Sequence, residues 1–210
     1  MHAQNHQHAC CAAPAAPDTG SFRTALWIAL GVNLAMFGVE VVAGLAAGSS
    51  ALEADAVDFL GDAANYGLSL SVLGLAMQWR SRTALLKGVS MFGFGLWVIG
   101  LTLYHLIAGT LPRAEVMGAV GVLALLANVG VAVLLYAYRH GDANMRAVWL
   151  CTRNDAIGNL AVLAAALGVY IGQTGWPDLV VAALMASLAL RSGWTVIRAS
   201  TAELAVARAN

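Results

Sequence analysis

Charged side chains are scarce in this 210-residue chain, where Asp, Glu, Lys and Arg together make up 10% of the residues. A soluble domain carries about 25%, so this chain has too few charges to cover a globule of its size with a hydrated surface. Positive and negative residues balance at 11 each, so no excess of positive charge suggests nucleic-acid binding. The composition therefore predicts a protein whose surface faces a lipid bilayer, with no nucleic-acid partner.

Cysteine is also scarce, with Cys10, Cys11 and Cys151 as the three examples. Two adjacent cysteines bridge each other only with strain, and Cys151 has no obvious mate, so a disulfide framework is excluded. The chain lacks the H-E-x-x-H pattern of metalloproteases and the G-x-S-x-G pattern of hydrolases. We therefore predict neither an enzyme nor a resident prosthetic group.

Long apolar blocks are what the chain has instead. A transmembrane helix needs about 20 apolar residues to cross about 30 Å of hydrocarbon, and six such blocks follow one another with short connections that contain helix breakers. The sequence predicts an all-α integral membrane protein, a bundle of six transmembrane helices. The predicted helices are 22–47, 51–78, 83–108, 115–139, 146–171 and 177–197.

The basic residues predict the orientation of the bundle. With the N-terminus inside, the connections on the outer side contain only Arg113, and the inner side holds most other Lys and Arg residues. This bias places both termini in the cytoplasm. We expect a disordered cytoplasmic tail at 1–21, a transmembrane domain at 22–200 and a short C-terminal tail at 201–210, in the bacterial inner membrane.

Four carboxylates interrupt the apolar pattern of the second helix: Glu53, Asp55, Asp58 and Asp62. A charge inside the bilayer costs about 2.5–3.5 kcal/mol on insertion scales, so such residues are usually functional. Asp58 and Asp62 are four apart and share one helix face. Two carboxylates that close repel each other unless a cation or a proton lies between them. Asp55, at the edge of that face, fits either the site or a structural hydrogen bond.

The fifth helix has a similar pair, Cys151 and Asp155, also four apart. At 1.5 Å per residue, Asp62 lies about 18 Å from the outer end of its helix and Asp155 about 15 Å from the inner end of its own. Both depths are near the midplane, so the two pairs can face each other. Three carboxylates and a thiolate suit tetrahedral zinc or a softer ion, and their protonation would couple metal release to proton uptake. Cys151 also fits a simple packing role.

These residues carry a resemblance to the cation diffusion facilitator family. The segment from Asn33 to Asp62 resembles the first two helices of that family, whose pattern is N…E…G…S-x-A-L-x-A-D-A-x-[HD]-x-x-x-D. Cys151 and Asp155 fall on the H-x-x-x-D pattern of its fifth helix, and Asp178 precedes an apolar run as in its sixth. The residues of the first two helices that match are Asn33, Glu40, Gly44, Ser49, Asp55, Asp58 and Asp62.

The resemblance implies a transporter of zinc, cadmium, cobalt or similar divalent cations, with export driven by proton antiport and usually performed by a homodimer. It assigns metal binding to four residues: Asp58, Asp62, Cys151 and Asp155. Three others would support the site or relay protons: Asn33, Glu40 and Asp55.

Two departures from the family leave alternatives open. Cys151 replaces the family's histidine, so the preferred metal is open. The family's cytoplasmic ferredoxin-like domain has no counterpart before Asn210, so we expect either a homodimer held by membrane helices or a monomer. A membrane metal sensor or an accessory subunit of a metal-resistance system, which binds metal without transporting it, is the alternative function.

The N-terminal tail is rich in metal-ligating side chains. Imidazole and thiolate bind borderline and soft metals, so the tail is a candidate for capturing ions and delivering them to the membrane site. The alternative is a disordered tail whose polar residues have no such role. The candidate ligands are His2, His6, His8, Cys10 and Cys11.

Overall fold

Six helices make up most of the described part of the chain. The computed structural model describes residues 20–71, 77–138 and 143–209. Side chains are described throughout those ranges except at 77–80, 83, 143–148, 150–151 and 206–209. The helices are α1 (Gly20–Ala47), α2 (Ser50–Ser71), α3 (Met77–Ala108), α4 (Ala114–Tyr136), α5 (Ala143–Gly172) and α6 (Trp176–Ala209).

The prediction of a six-helix membrane bundle is confirmed, but two of the predicted helix ends are wrong. Residues from Met77 onward already belong to α3, whose predicted start is 83, and α6 runs to Ala209 rather than 197. The predicted end of α2 at 78 is not tested, because residues 72–76 lie outside the described part of the chain. The two ends are wrong because hydropathy follows the thickness of the bilayer, whereas a helix also continues through polar residues. Beyond the apolar blocks, Ser81 donates a hydrogen bond of 2.6 Å to Glu203 and joins α3 to the extended α6.

The outer surface of the bundle is apolar. Five helices in the described part of the chain are long and apolar enough to cross a membrane. Their large exposed side chains are aliphatic and aromatic: Val42 is 70% exposed and Ile107 is 86% exposed. Such a surface is stable against lipid tails and not against water. The protein is therefore a multi-pass membrane protein.

α2 is the helix with too many carboxylates to count as a span by composition alone. It packs against α1, α3, α5 and α6, and most of its side chains between Ser50 and Ala63 are buried. The neighbouring helices thus cover its polar groups. This packing lowers the free-energy cost of placing four carboxylates within the membrane, because they face protein rather than lipid.

On the side of the bundle where α2 begins, α1 and α3 are each followed by a glycine. Gly48 after α1 and Gly109 after α3 have φ values of 66° and 64°, in the left-handed region that glycine adopts without strain. The amide of Ser49 then bonds to the carbonyl of Gly44 at 3.0 Å, and Thr110 bonds to His105 in the same way at 3.1 Å. Both are Schellman caps, which satisfy the last carbonyls of a helix.

α3 and α6 approach each other through glycine. A Cβ added at Gly193 would lie 2.9 Å from the backbone nitrogen of Phe92 and 3.0 Å from the carbonyl oxygen of Gly88. Small residues let membrane helices pack backbone against backbone. The α3–α6 pair therefore forms one wall beside α2.

Candidate metal site

The first turn of α2 is held by Asp178 at the start of α6. One carboxylate oxygen accepts hydrogen bonds from the Ser49 hydroxyl at 2.6 Å and the Ala51 amide at 3.1 Å, and the other accepts from the Ser50 amide at 2.9 Å. The Ser49 hydroxyl accepts in turn from the Leu52 amide at 3.2 Å. A carboxylate at a helix N-terminus satisfies unpaired amides and complements the helix dipole. This contact sets the position of α2 relative to α6.

The structure brings the α2 and α5 carboxylates together. The carboxyl groups of Asp62 and Asp155 lie within hydrogen-bonding reach of each other. Asp58 is close enough for its charge to act on both. Asp62 is 7% exposed, and the Oδ2 atom of Asp155 is buried without a hydrogen-bond partner among the described residues. The three aspartates predicted to bind metal are therefore near enough for their charges to act on one another.

The fourth predicted ligand, Cys151, lies one helical turn before Asp155 on α5. Its side chain is outside the described residues. Among the side chains that are described, no group of three or more His, Cys, Asp or Glu residues is arranged tightly enough to hold a metal ion. The three aspartates are thus neighbours without a closed ligand shell.

One turn further along α2, Tyr66 connects Asp62 to α5. Its hydroxyl group lies 2.7 Å from the hydroxyl of Thr152 and 3.4 Å from Oδ2 of Asp62. Both Tyr66 and Thr152 are fully buried. When Thr152 donates to Tyr66, the phenol proton is directed at Asp62. Tyr66 is therefore placed to orient this carboxylate.

A buried cation approaches Asp62 from α3. Lys87 is only 8% exposed, and its Nζ atom donates a hydrogen bond to Oδ1 of Asn65. Asn65 lies one turn after Asp62, and both the Asn65 amide and the Lys87 charge act on the Asp62 carboxyl group. The carboxyl group thus has an amide and an ammonium nearby.

A second set of polar side chains, around Asp55, comes from four helices. Asn128 on α4 donates to Asn159 on α5 at 2.9 Å, and Asn159 donates to Oδ2 of Asp55 at 2.7 Å. Glu40 on α1 lies against Asp55, and no donor among the described residues bonds either of its carboxylate oxygens. Two buried carboxyl groups near each other repel unless a proton or a cation offsets their charge.

Asn33, the third predicted supporting residue, is buried on α1 and donates to the Ala29 carbonyl of its own helix at 2.9 Å. Its side-chain oxygen has no hydrogen-bond partner among the described residues. The described contacts therefore do not connect it to the three aspartates. The tail candidates fall outside the described residues: His2, His6, His8, Cys10 and Cys11.

The polar residues near the aspartates were not predicted from the sequence, although a signal was present. Asn65 and Tyr66 follow Asp62 by three and four positions, and Asn159 follows Asp155 by four. These spacings put them on the same helix faces as the aspartates. Lys87 carries no such signal, because it belongs to another helix.

Comparison with known proteins identifies one family. A family model described as the cation efflux transmembrane domain matches residues 26–205, which includes all four predicted metal ligands. The match covers most of the chain, from α1 into the extended α6.

Individual relatives agree with this match. The zinc transporter ZitB of Escherichia coli is 30% identical over 206 residues, covering 90% of this chain and 64% of ZitB. The metal cation efflux system protein CzcD of Cupriavidus metallidurans is 23% identical, covering 86% of this chain and 61% of that protein. A cadmium, cobalt and zinc/H(+)-K(+) antiporter of Bacillus velezensis is 27% identical, covering 93% and 64%. The chain thus spans somewhat less than two-thirds of these relatives.

Proposed function

Since this chain belongs to the cation efflux family, we propose that it transports a divalent cation of the zinc, cadmium and cobalt class out of the cytoplasm, in exchange for protons. The observation that carries the proposal is that Asp58, Asp62 and Asp155, on α2 and α5, lie near enough for their charges to act on one another. Three carboxylates this close need a cation or protons to offset their repulsion. The relatives named as a zinc transporter and as a cadmium, cobalt and zinc antiporter support the substrate class.

In this proposal the metal binds to Asp58, Asp62, Cys151 and Asp155. Carboxylate oxygens and thiolate sulfur are both ligands of zinc, and the thiolate adds a preference for softer ions. The free Oδ2 of Asp155 and the partly exposed Asp58 are the positions from which a ligand shell can close around an entering ion. In this proposal, metal binding draws α2 and α5 together, because the ligand shell is not preformed in the metal-free site.

Protons are the proposed counter-substrate because the same carboxylates bind either a metal or a proton. Glu40 and Asp55 share a buried contact next to Asp58, which supports a role in moving protons to and from the site. Asn33 completes the proposed supporting set on α1, where its buried oxygen has no described partner. The bacterial inner membrane supplies the proton gradient that such exchange requires.

The test is zinc and cadmium flux in sealed proteoliposomes with an imposed proton gradient. We expect gradient-driven flux in the parent and its loss in Asp62→Ala and Asp155→Ala, each with the parent's thermal stability. Glu115→Gln removes an exposed carboxylate at the start of α4 and serves as the control that keeps full flux. Full flux in both aspartate variants would refute the site. Metal binding without flux in the parent would favour a metal sensor or accessory subunit instead.

A further inference from the structure

Lys87 is an unusual residue for the interior of a membrane bundle. Its side chain is 8% exposed, whereas lysine is almost never fully buried unless it is paired. Its Nζ atom bonds to the side-chain oxygen of Asn65 on α2. That contact turns the ammonium group away from lipid and towards the face of α2 that carries Asp62.

Asn65 is the link between the lysine and the metal site. It lies one turn after Asp62, on the same face of α2, and both its amide and the positive charge of Lys87 act on the Asp62 carboxyl group. An ammonium group has three donors and no lone pair, so Lys87 cannot be a metal ligand. Its influence on a bound cation is electrostatic and acts through Asp62.

We propose that Lys87 is an affinity-setting residue, a tethered cation that competes with the transported metal for the charge of Asp62. This inference rests on the proposed function. In the metal-free site the ammonium offsets part of the carboxylate charge, and when a divalent ion binds, the two positive charges repel each other. In a site shielded from water such interactions are strong.

The consequence for transport is faster release. Affinity differences between related complexes arise mostly in the dissociation rate, so a cation fixed beside the site shortens the residence time of the metal. The hydrogen bond to Asn65 holds the ammonium at a set distance and prevents it from entering the ligand positions itself. Lys87 thus acts as a positioning residue for charge.

The experiment compares zinc binding by the purified full chain at mildly alkaline pH, with a fluorescent zinc indicator as competitor. Lys87→Met removes the charge and keeps the length of the side chain, and Lys87→Gln also retains a group that can bond to Asn65. We expect the dissociation constant for zinc to fall about tenfold in both, equivalent to about 1.4 kcal/mol. Lys87→Arg, which keeps the charge, should remain near the parent.

The control variant is Arg198→Gln, which removes an exposed cation from α6 and should leave zinc affinity unchanged. In proteoliposomes we expect both neutral Lys87 variants to lower both the KM for zinc and the maximal rate. Misfolding would lower the maximal rate alone, because it reduces the amount of active protein without tightening zinc binding. Unchanged or weaker zinc binding in folded Lys87→Met and Lys87→Gln would overturn the inference.

Failure of the proposed function would look different. If Asp62→Ala bound zinc as tightly as the parent, the metal site itself would be wrong, and the role of Lys87 with it. If Asp62→Ala lost binding while the neutral Lys87 variants matched the parent, the site would stand and only the tethered-cation inference would fall.

Discussion

Asp58 and Asp62 differ in their neighbours, although they have the same side chain and share a helix face. Asp62 accepts a hydrogen bond from Tyr66, and Asn65 and the positive charge of Lys87 act on its carboxyl group. The charged groups that act on Asp58 are carboxylates, with Asp55 and Asp62 among them. Asp62 is therefore oriented and its charge partly offset by its neighbours, before any metal binds at the proposed site. Asp58 depends on an incoming cation or proton to offset the repulsion.

In the proposed site, Cys151 is the ligand that we expect to set the preference between cadmium and zinc. Replacing its thiolate with the imidazole of Cys151→His should lower cadmium flux relative to zinc flux several-fold, because softer ions prefer sulfur. The measurement is the ratio of the two fluxes in proteoliposomes. A double variant of the tail, Cys10→Ser with Cys11→Ser, is the control for thiols outside the membrane. An unchanged ratio in Cys151→His would assign Cys151 to packing.

At the scale of elements, α2 is anchored at two points. Asp178 holds its first turn to α6, and Tyr66 meets Thr152 on α5 beyond the aspartates. The segment of α2 that carries Asp58 and Asp62 lies between these contacts. If the proposed transport moves α2 relative to α5 or α6, these two contacts would have to break and re-form during the cycle.

Removing the outer anchor should destabilise the bundle. Asp178→Ala leaves the hydroxyl of Ser49 and the amides of Ser50 and Ala51 without their acceptor, and an unsatisfied buried donor costs about 1–3 kcal/mol. We expect the thermal unfolding midpoint in detergent to fall by about 5 °C. Glu115→Gln, in an exposed carboxylate, should leave the midpoint unchanged. A midpoint equal to the parent's in Asp178→Ala would show that the contact contributes little.

At the scale of the whole molecule, the fold separates a polar interior from an apolar exterior. α2 carries the carboxylates and is covered by α1, α3, α5 and α6, while the outward faces of the apolar helices meet lipid. The α3–α6 pair extends past the apolar blocks, where Ser81 bonds to Glu203. A soluble protein places its polar residues on the outside, and this chain uses the opposite arrangement because its solvent is a bilayer.

The predicted capture of metal by the N-terminal tail is tested on the full chain. Deleting residues 1–19 should raise the KM for zinc a few-fold and leave the maximal rate unchanged, because a tethered ligand raises the local ion concentration only below saturation. A tail of the same length with its His and Cys residues replaced by Ser should behave like the deletion. Identical KM values in the parent and both variants would mean that the tail has no part in capture.

Local patterns were enough to predict the helices and the metal-binding candidates. Hydropathy depends only on consecutive residues, so the number of spans and most helix ends followed from it. Helical spacing likewise placed Asp58 with Asp62 and Cys151 with Asp155. Where helices continue into polar residues, as α6 does to Ala209, hydropathy no longer marks the end and the prediction was wrong.

The partners of the buried polar groups were decided by tertiary structure. Asn159 bonds to Asp55 across 104 residues, Ser49 bonds to Asp178 across 129, and Lys87 reaches α2 from another helix. Such contacts depend on how each helix is rotated and which helices are adjacent, and close packing between them sets both. The sequence therefore determined which residues carry the charge, and the packing of six helices decided which of those charges meet.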